Sequence, residues 1–193
     1  MKLKFMSLVA LMVMATGTSA FAQDVLNQVP TATTITQSQA DYNYSNGGTQ
    51  NVKFKVTLAP NTQVGVDYNI NKPTSASLEA KVTVFNQSGT KIAVGLSNVI
   101  STAGTPNLYV VGELPYGKYG VVGGASRATS KSTKGFAGLY YQLKPNIRLQ
   151  ADYLPNSTSF GAAIKYGKLE VTPAILVSNR SSVEPSIGLQ FSL

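Results

Sequence analysis

The feature that most limits what this chain can fold into is a period of two. From residue 52 onward, apolar and polar residues alternate through one short run after another, and no run after the first two dozen residues repeats its apolar positions every 3.6 residues. "VKFKVTL" (52–58) sets Val52, Phe54, Val56 and Leu58 on one face, with Lys53, Lys55 and Thr57 on the other. The pattern returns in "VGVDYNI" (64–70), "LEAKVTV" (78–84), "KIAVGLS" (91–97), "LYVVGEL" (108–114) and "YGVVGGA" (119–125). It continues in "FAGLYYQL" (136–143), "IRLQADY" (147–153), "FGAAIKY" (160–166), "LEVTPAILV" (169–177) and "SIGLQFSL" (186–193). Those eleven runs read as strands, and "ADYNYSN" (40–46), with Tyr42 and Tyr44 alternating against Asp41 and Asn43, supplies a twelfth. The chain is all-β.

The first 22 residues stand apart. Lys2 and Lys4 precede the short apolar run "MSLVALMVMA" (6–15), and Ala20 and Ala22 form the small-residue pattern that signal peptidase reads. The run is too short for a transmembrane helix, which needs about 20 residues. Residues 1–22 are therefore expected to be a cleaved signal peptide, 23–39 a leader that is either loose or folded into the interior, and 40–193 the β domain.

Composition removes much chemistry. The chain has no cysteine and no histidine. Disulfides, thiol nucleophiles, Ser-His or Cys-His catalysis and the common zinc sites are therefore outside its means. No enzyme activity, cofactor or metal is expected. Without Lys2 and Lys4, 14 of the 16 basic residues remain against 8 acidic ones, a net of +6. These charges are scattered rather than clustered, and an exported protein meets little nucleic acid, so the anionic partners on offer are lipid headgroups and acidic solutes.

The connections carry a second rhythm. "APNTQ", "NQSGT", "PYGK", "KPN" and "GK" are short and rich in Pro, Gly and Asn; "NKPTSAS", "NVISTAGTPN", "RATSKSTK" and "NRSSVEP" are long, with "PNSTS" a modest case among them. Short and long connections alternate, which describes an up-and-down meander with two unlike ends. The chain then stops inside an apolar strand, with Phe191 two places from the end and Leu193 last. That ending resembles the C-terminal assembly signal of small bacterial outer-membrane β-barrel proteins, the porin-like barrels, most of which end on Phe.

The resemblance implies a closed antiparallel up-and-down transmembrane β-barrel of about twelve strands, with both termini periplasmic and the long loops outside. Apolar faces would meet lipid and polar faces would line the lumen. The residues expected to line a channel are Lys53, Lys55, Asp67, Glu79, Lys81, Lys91, Glu113, Arg148, Asp152, Lys165 and Glu170. Hairpin arithmetic sets Asp67 opposite Lys55 and Lys81, Lys165 opposite Glu170, and Gln142 opposite Arg148. Small residues such as Gly65, Gly95, Gly120 and Gly124 would leave room within. Tyr68, Tyr109, Tyr119, Tyr141, Tyr153 and Tyr166 would form the aromatic girdle, Pro173 would sit in a bulge, and Phe191 and Leu193 would form the assembly signal. The expected function is a narrow porin-like channel for small hydrophilic solutes with mild anion preference. The expected partners are membrane lipid, lipopolysaccharide and the outer-membrane assembly machinery. One alternative is a non-conducting surface barrel whose loop cations Lys72, Arg127, Lys131, Lys134 and Arg180 meet lipopolysaccharide. The other is a soluble periplasmic β-protein with its apolar faces inward.

Overall fold

The computed structural model describes residues 28–45, 50–71, 76–99, 105–129, 131–178 and 182–193; the expected signal peptide lies outside them. Twelve strands follow in order: β1 (Gln39–Ser45), β2 (Gln50–Ala59), β3 (Thr62–Asn69), β4 (Ala76–Gln87), β5 (Thr90–Ser97), β6 (Asn107–Tyr116), β7 (Tyr119–Ala128), β8 (Lys134–Lys144), β9 (Ile147–Leu154), β10 (Ser157–Tyr166), β11 (Leu169–Ser178) and β12 (Val183–Ser192). Each pairs antiparallel with its neighbours in sequence, and β12 pairs back onto β1, with Tyr42 opposite Leu189, to close a barrel. Closure leaves no free edge, so every strand has a ladder on both sides. The strands extend beyond the alternating runs into flanking polar residues.

The two ends differ. Five two-residue turns, at 60–61, 88–89, 117–118, 145–146 and 167–168, lie at the end where β1 begins and β12 finishes. Gly89, Gly117 and Gly167 take positive φ there, as tight hairpins demand. The other end carries the longer connections, 46–49, 70–75, 98–106, 129–133 and 179–182. The modest loop expected at "PNSTS" is only the pair Pro155–Asn156, because Ser157 already belongs to β10.

The wall faces the way a membrane barrel requires. Phe54, Leu114, Leu139 and Phe160 are each about half exposed on the outside, at 48%, 57%, 57% and 56%, while Lys55, Lys81, Arg148, Gln150, Asp152 and Glu170 are buried within. A soluble barrel would place those apolar rows against one another in a dry centre, so the soluble alternative is set aside. The exterior is one that hydrocarbon, not water, satisfies.

Three expectations are corrected. Pro173 makes no bulge: it pairs in register with Ile187 of β12, and on its other side the ladder to β10 merely lapses between Gly161–Ala174 and Ile164–Val171 without a change of register. A missing N–H costs a rung, but an extra residue is not needed to absorb it. The bulges fall instead beside tight turns, at Thr57/Ala59, Thr83/Phe85 and Gln142/Lys144. Asp67 faces Lys53 and Ser77, not Lys55 and Lys81, because the first turn centres on Pro60–Asn61 with a bulge beside it and the next connection is asymmetric. Lys165 opposite Glu170 and Gln142 opposite Arg148 stand as expected.

Candidate functional site

The lumen is the candidate site, and its inward residues divide it into two unlike halves. On β1 to β4 the inward face is ionic. Lys53 Nζ lies 2.9 Å from Glu79 and 3.7 Å from Asp67, and Lys55 Nζ is 2.5 Å from Asp41. Enclosed ions are costly unless paired, and these three pairwise contacts explain why the charges fall where they do.

On β5 to β8 the lumen turns apolar. Ala93, Val111, Val122 and Phe136 form a buried cluster with Tyr109, Tyr140 and Leu154 packed against it. Its glycines do not leave empty space, contrary to expectation. Gly95 faces Tyr109, Gly120 faces Tyr140 and Gly124 faces Phe136 across the ladder, and each ring lies so close over its glycine that a Cβ has no room. Gly65 is covered likewise by the Glu79 side chain. The signal for this apolar strip was the doublets Val110-Val111 and Val121-Val122, where alternation fails because both faces are apolar.

What packs against that strip is the leader. Val29, Ala32 and Ile35 are fully buried inside the barrel, and Val29 and Ala32 join the apolar cluster. Gln28 sits near the long-loop end, where the backbone N–H groups of Gln28 and Val29 donate to Asp152 Oδ2 at 2.7 and 3.2 Å and the Ser157 hydroxyl donates to Gln28 Oε1 at 3.0 Å. Mid-lumen, Lys81 Nζ donates to the carbonyls of Thr31 and Thr33, and the Thr83 hydroxyl to the Ala32 carbonyl. Nearer the tight-turn end, Lys91 Nζ donates to Thr33 Oγ1, Thr33 Oγ1 to Glu113 Oε2, the Ile35 N–H to Gln63 Oε1, and the Thr57 hydroxyl to the Ile35 carbonyl. The segment thus threads the lumen from one end to the other before the chain turns into β1. Of the two expectations for the leader, the interior one describes residues 28–38. Its consequence is that the first described residue lies at the opposite end from Leu193, whose N–H donates to Ser38 at the tight-turn end.

The residues expected to line a channel all lie on the inward face, but they are not all open to a solute. Lys81, Lys91, Glu113 and Asp152 hold the threaded segment. Lys53, Asp67 and Glu79 form the ionic cluster, with Lys55 beside it on Asp41. Arg148 is buried, with its guanidinium 5.4 Å from the centre of the Tyr140 ring, and the Tyr140 hydroxyl donates to Glu113 Oε1. Glu170 is buried and Lys165 part-exposed, on β11 and β10 beside the strand that carries Arg148.

Among the tyrosines, Tyr68 and Tyr153 lie outward near the long-loop end, while Tyr119, Tyr141 and Tyr166 lie outward near the tight turns. Tyr119 and Tyr141 pair across the ladder with ring centres 4.7 Å apart. Tyr109 departs from expectation: it shares its face with Val111 and Glu113 and points inward over Gly95. Tyr44 and Tyr116, exposed on the outer wall at opposite ends, were not anticipated as members of that set. Phe191 stands in β12 opposite Ala40 and Leu169, on the outward face with Ile187 and Leu189. Of the loop cations, Arg127, Lys131 and Lys134 are exposed, and Lys72 and Arg180 lie outside the described residues.

No family model matches the sequence, and no curated protein does. Solved structures do. The KdgM porin superposes with a TM-score of 0.62 at 13% identity, over 81% of this chain and 99% of that one. A NanC porin structure does so with 0.59 at 10% identity, over 81% and 100%. The outer membrane protein Omp33 of Acinetobacter baumannii matches with 0.52 at 8%, over 81% and 97%. At these identities the likeness is one of architecture: the chain has the fold of small outer-membrane porin barrels.

Proposed function

We propose that this protein is an outer-membrane barrel whose lumen passes small hydrophilic solutes, with a mild preference for anions. One observation carries the reading. The inward residues of β12, Glu184, Ser186, Gly188, Gln190 and Ser192, are part-exposed at every level from the long-loop end to the tight-turn end. Thr172, Ala174 and Leu176 of β11 and Asn43 of β1 flank them and are likewise accessible. The side of the lumen opposite the apolar strip therefore offers water a route past the threaded segment, lined by hydroxyls, two amides, a carboxylate and mostly small side chains.

The preference for anions rests on the ends, not the middle. Inside, most charges are paired or hold the segment. At the tight-turn end stand Lys118, Lys144 and Lys168, and at the other Arg127, Lys131 and Lys134, while Glu184 and the buried Glu170 are acids one residue inside a strand end. Positive mouths raise the local concentration of anions. One KdgM structure was solved in complex with disordered oligogalacturonate. Among the described residues, the part-exposed inward cations flanking the accessible stripe are Lys165 on β10 and Lys53 on β2, the latter paired with Glu79 and Asp67, too few for a long polyanion, which favours small solutes.

The same reading assigns residues 1–22 to export, the outer wall with its tyrosines to lipid contact, the loop cations to lipopolysaccharide phosphates, and Phe191 with Leu193 to recognition by the assembly machinery. Planar-bilayer recording tests it. Folded protein, identified by heat-modifiable gel migration, should give small discrete steps, and a salt gradient should shift the reversal potential toward chloride. Folded protein that gives no steps overturns the reading.

A further inference from the structure

We infer that residues 28–38 are a built-in selectivity element: a docked internal liner that sets how large a solute the barrel admits. The inference rests on the channel reading above and names the part of the molecule that determines its bore.

The geometry favours a fixed liner over a loose tail. From Gln28 to Ile35 is seven residues, roughly 23 Å of extended chain at about 3.3 Å per residue, close to the ~25 Å of an outer-membrane apolar band. Along that path the backbone finds acceptors and donors at each level: Asp152 at one end, Lys81 midway, and Gln63 and Thr57 at the other. Bonds to ionised groups are the stronger kind, and two of these anchors are ionised. Meanwhile Val29 and Ala32 bury themselves on the apolar strip. An empty strip would leave apolar side chains facing water in a channel that otherwise presents polar ones. Sequence and lumen are therefore matched: Val29 and Ala32, three residues apart on the segment, meet a strip of Ala93, Val111 and Val122 on the wall.

Two consequences separate this from a merely structural role. First, the barrel without the segment should be a wider channel. Second, Asp152 and Lys81, although ionised and inward, should govern bore more than charge selectivity, because they hold the liner instead of touching solute.

The test compares the full mature chain with one lacking residues 24–35, both checked for heat-modifiable migration, by single-channel conductance and by liposome swelling with sugars of increasing size. The truncated barrel should conduct with several-fold larger steps and admit sugars that the full chain excludes. Equal steps and equal size limits in the two proteins would overturn the liner. If neither conducts, the channel reading itself fails and takes the liner with it. If only the truncated form conducts, the segment is the obstruction but the accessible stripe is not a resting passage. Should the truncated chain not fold, the double variant Asp152→Asn with Lys81→Met serves instead. In it, a cysteine introduced by Val29→Cys, the sole thiol of the chain, should react with a membrane-impermeant thiol reagent that does not reach it when Val29→Cys is made alone. Equal protection in the two backgrounds overturns the docking.

Discussion

At the scale of single residues, the lumen is organised by pairs that share one site across a ladder. Gly95 exists to admit the Tyr109 ring, and Gly120 the Tyr140 ring. Gly95→Ala forces the ring aside in a filled interior, and overpacking of this kind costs about 1 to 3 kcal/mol. The double variant Gly95→Ala with Tyr109→Ala should lose less than the sum of the two single losses, read from denaturant midpoints in detergent. Lys53 is the ionic counterpart. It serves both Glu79 and Asp67, and none of the three is more than 28% exposed. Lys53→Met leaves two carboxylates facing each other without a cation. After allowance for partial water access we expect a loss of about 2 kcal/mol, below the range for fully buried pairs. A charge-swapped Lys53→Glu with Glu79→Lys should recover part of it, and no recovery would place the cost elsewhere.

At the scale of elements, strand number, turn lengths and the inward or outward facing of nearly every side chain were legible in the alternation, because one face of each strand meets hydrocarbon and the other does not. Register was less legible. Asp67 slid two positions along β2, from Lys55 to Lys53, because bulges and uneven loops shift pairing without changing which face a residue takes. Pro173 shows the same limit: whether a proline yields a bulge or a lapsed rung depends on its two neighbours, here β10 and β12. Pro173→Val supplies the missing N–H and should restore the rung to Ala162, with slow hydrogen exchange at residues 173 and 162, and stabilise by about 1 kcal/mol, the net contribution of one hydrogen bond. Unchanged exchange there would mean that the ladder lapses for another reason. The leader was illegible for a different cause. "VPTATTI" has no alternating run and no charge, and its place depends on an apolar strip assembled from four strands.

At the scale of the whole molecule, everything rests on which side of the wall is dry. Val66 and Leu139 stand mid-strand on the outer face, Thr172 and Ser186 on the inner. An arginine at either outer position should cost about 2 to 4 kcal/mol in a bilayer. Thr172→Arg should leave stability nearly unchanged and reduce conductance. The most direct measurement uses the absence of native cysteine. Single cysteines at Ser186, Ile187, Gly188, Leu189 and Gln190 along β12, in protein reconstituted into liposomes, are exposed to a water-soluble thiol reagent. The account predicts reaction at 186, 188 and 190 and protection at 187 and 189; protection at the even positions with reaction at the odd ones would contradict it.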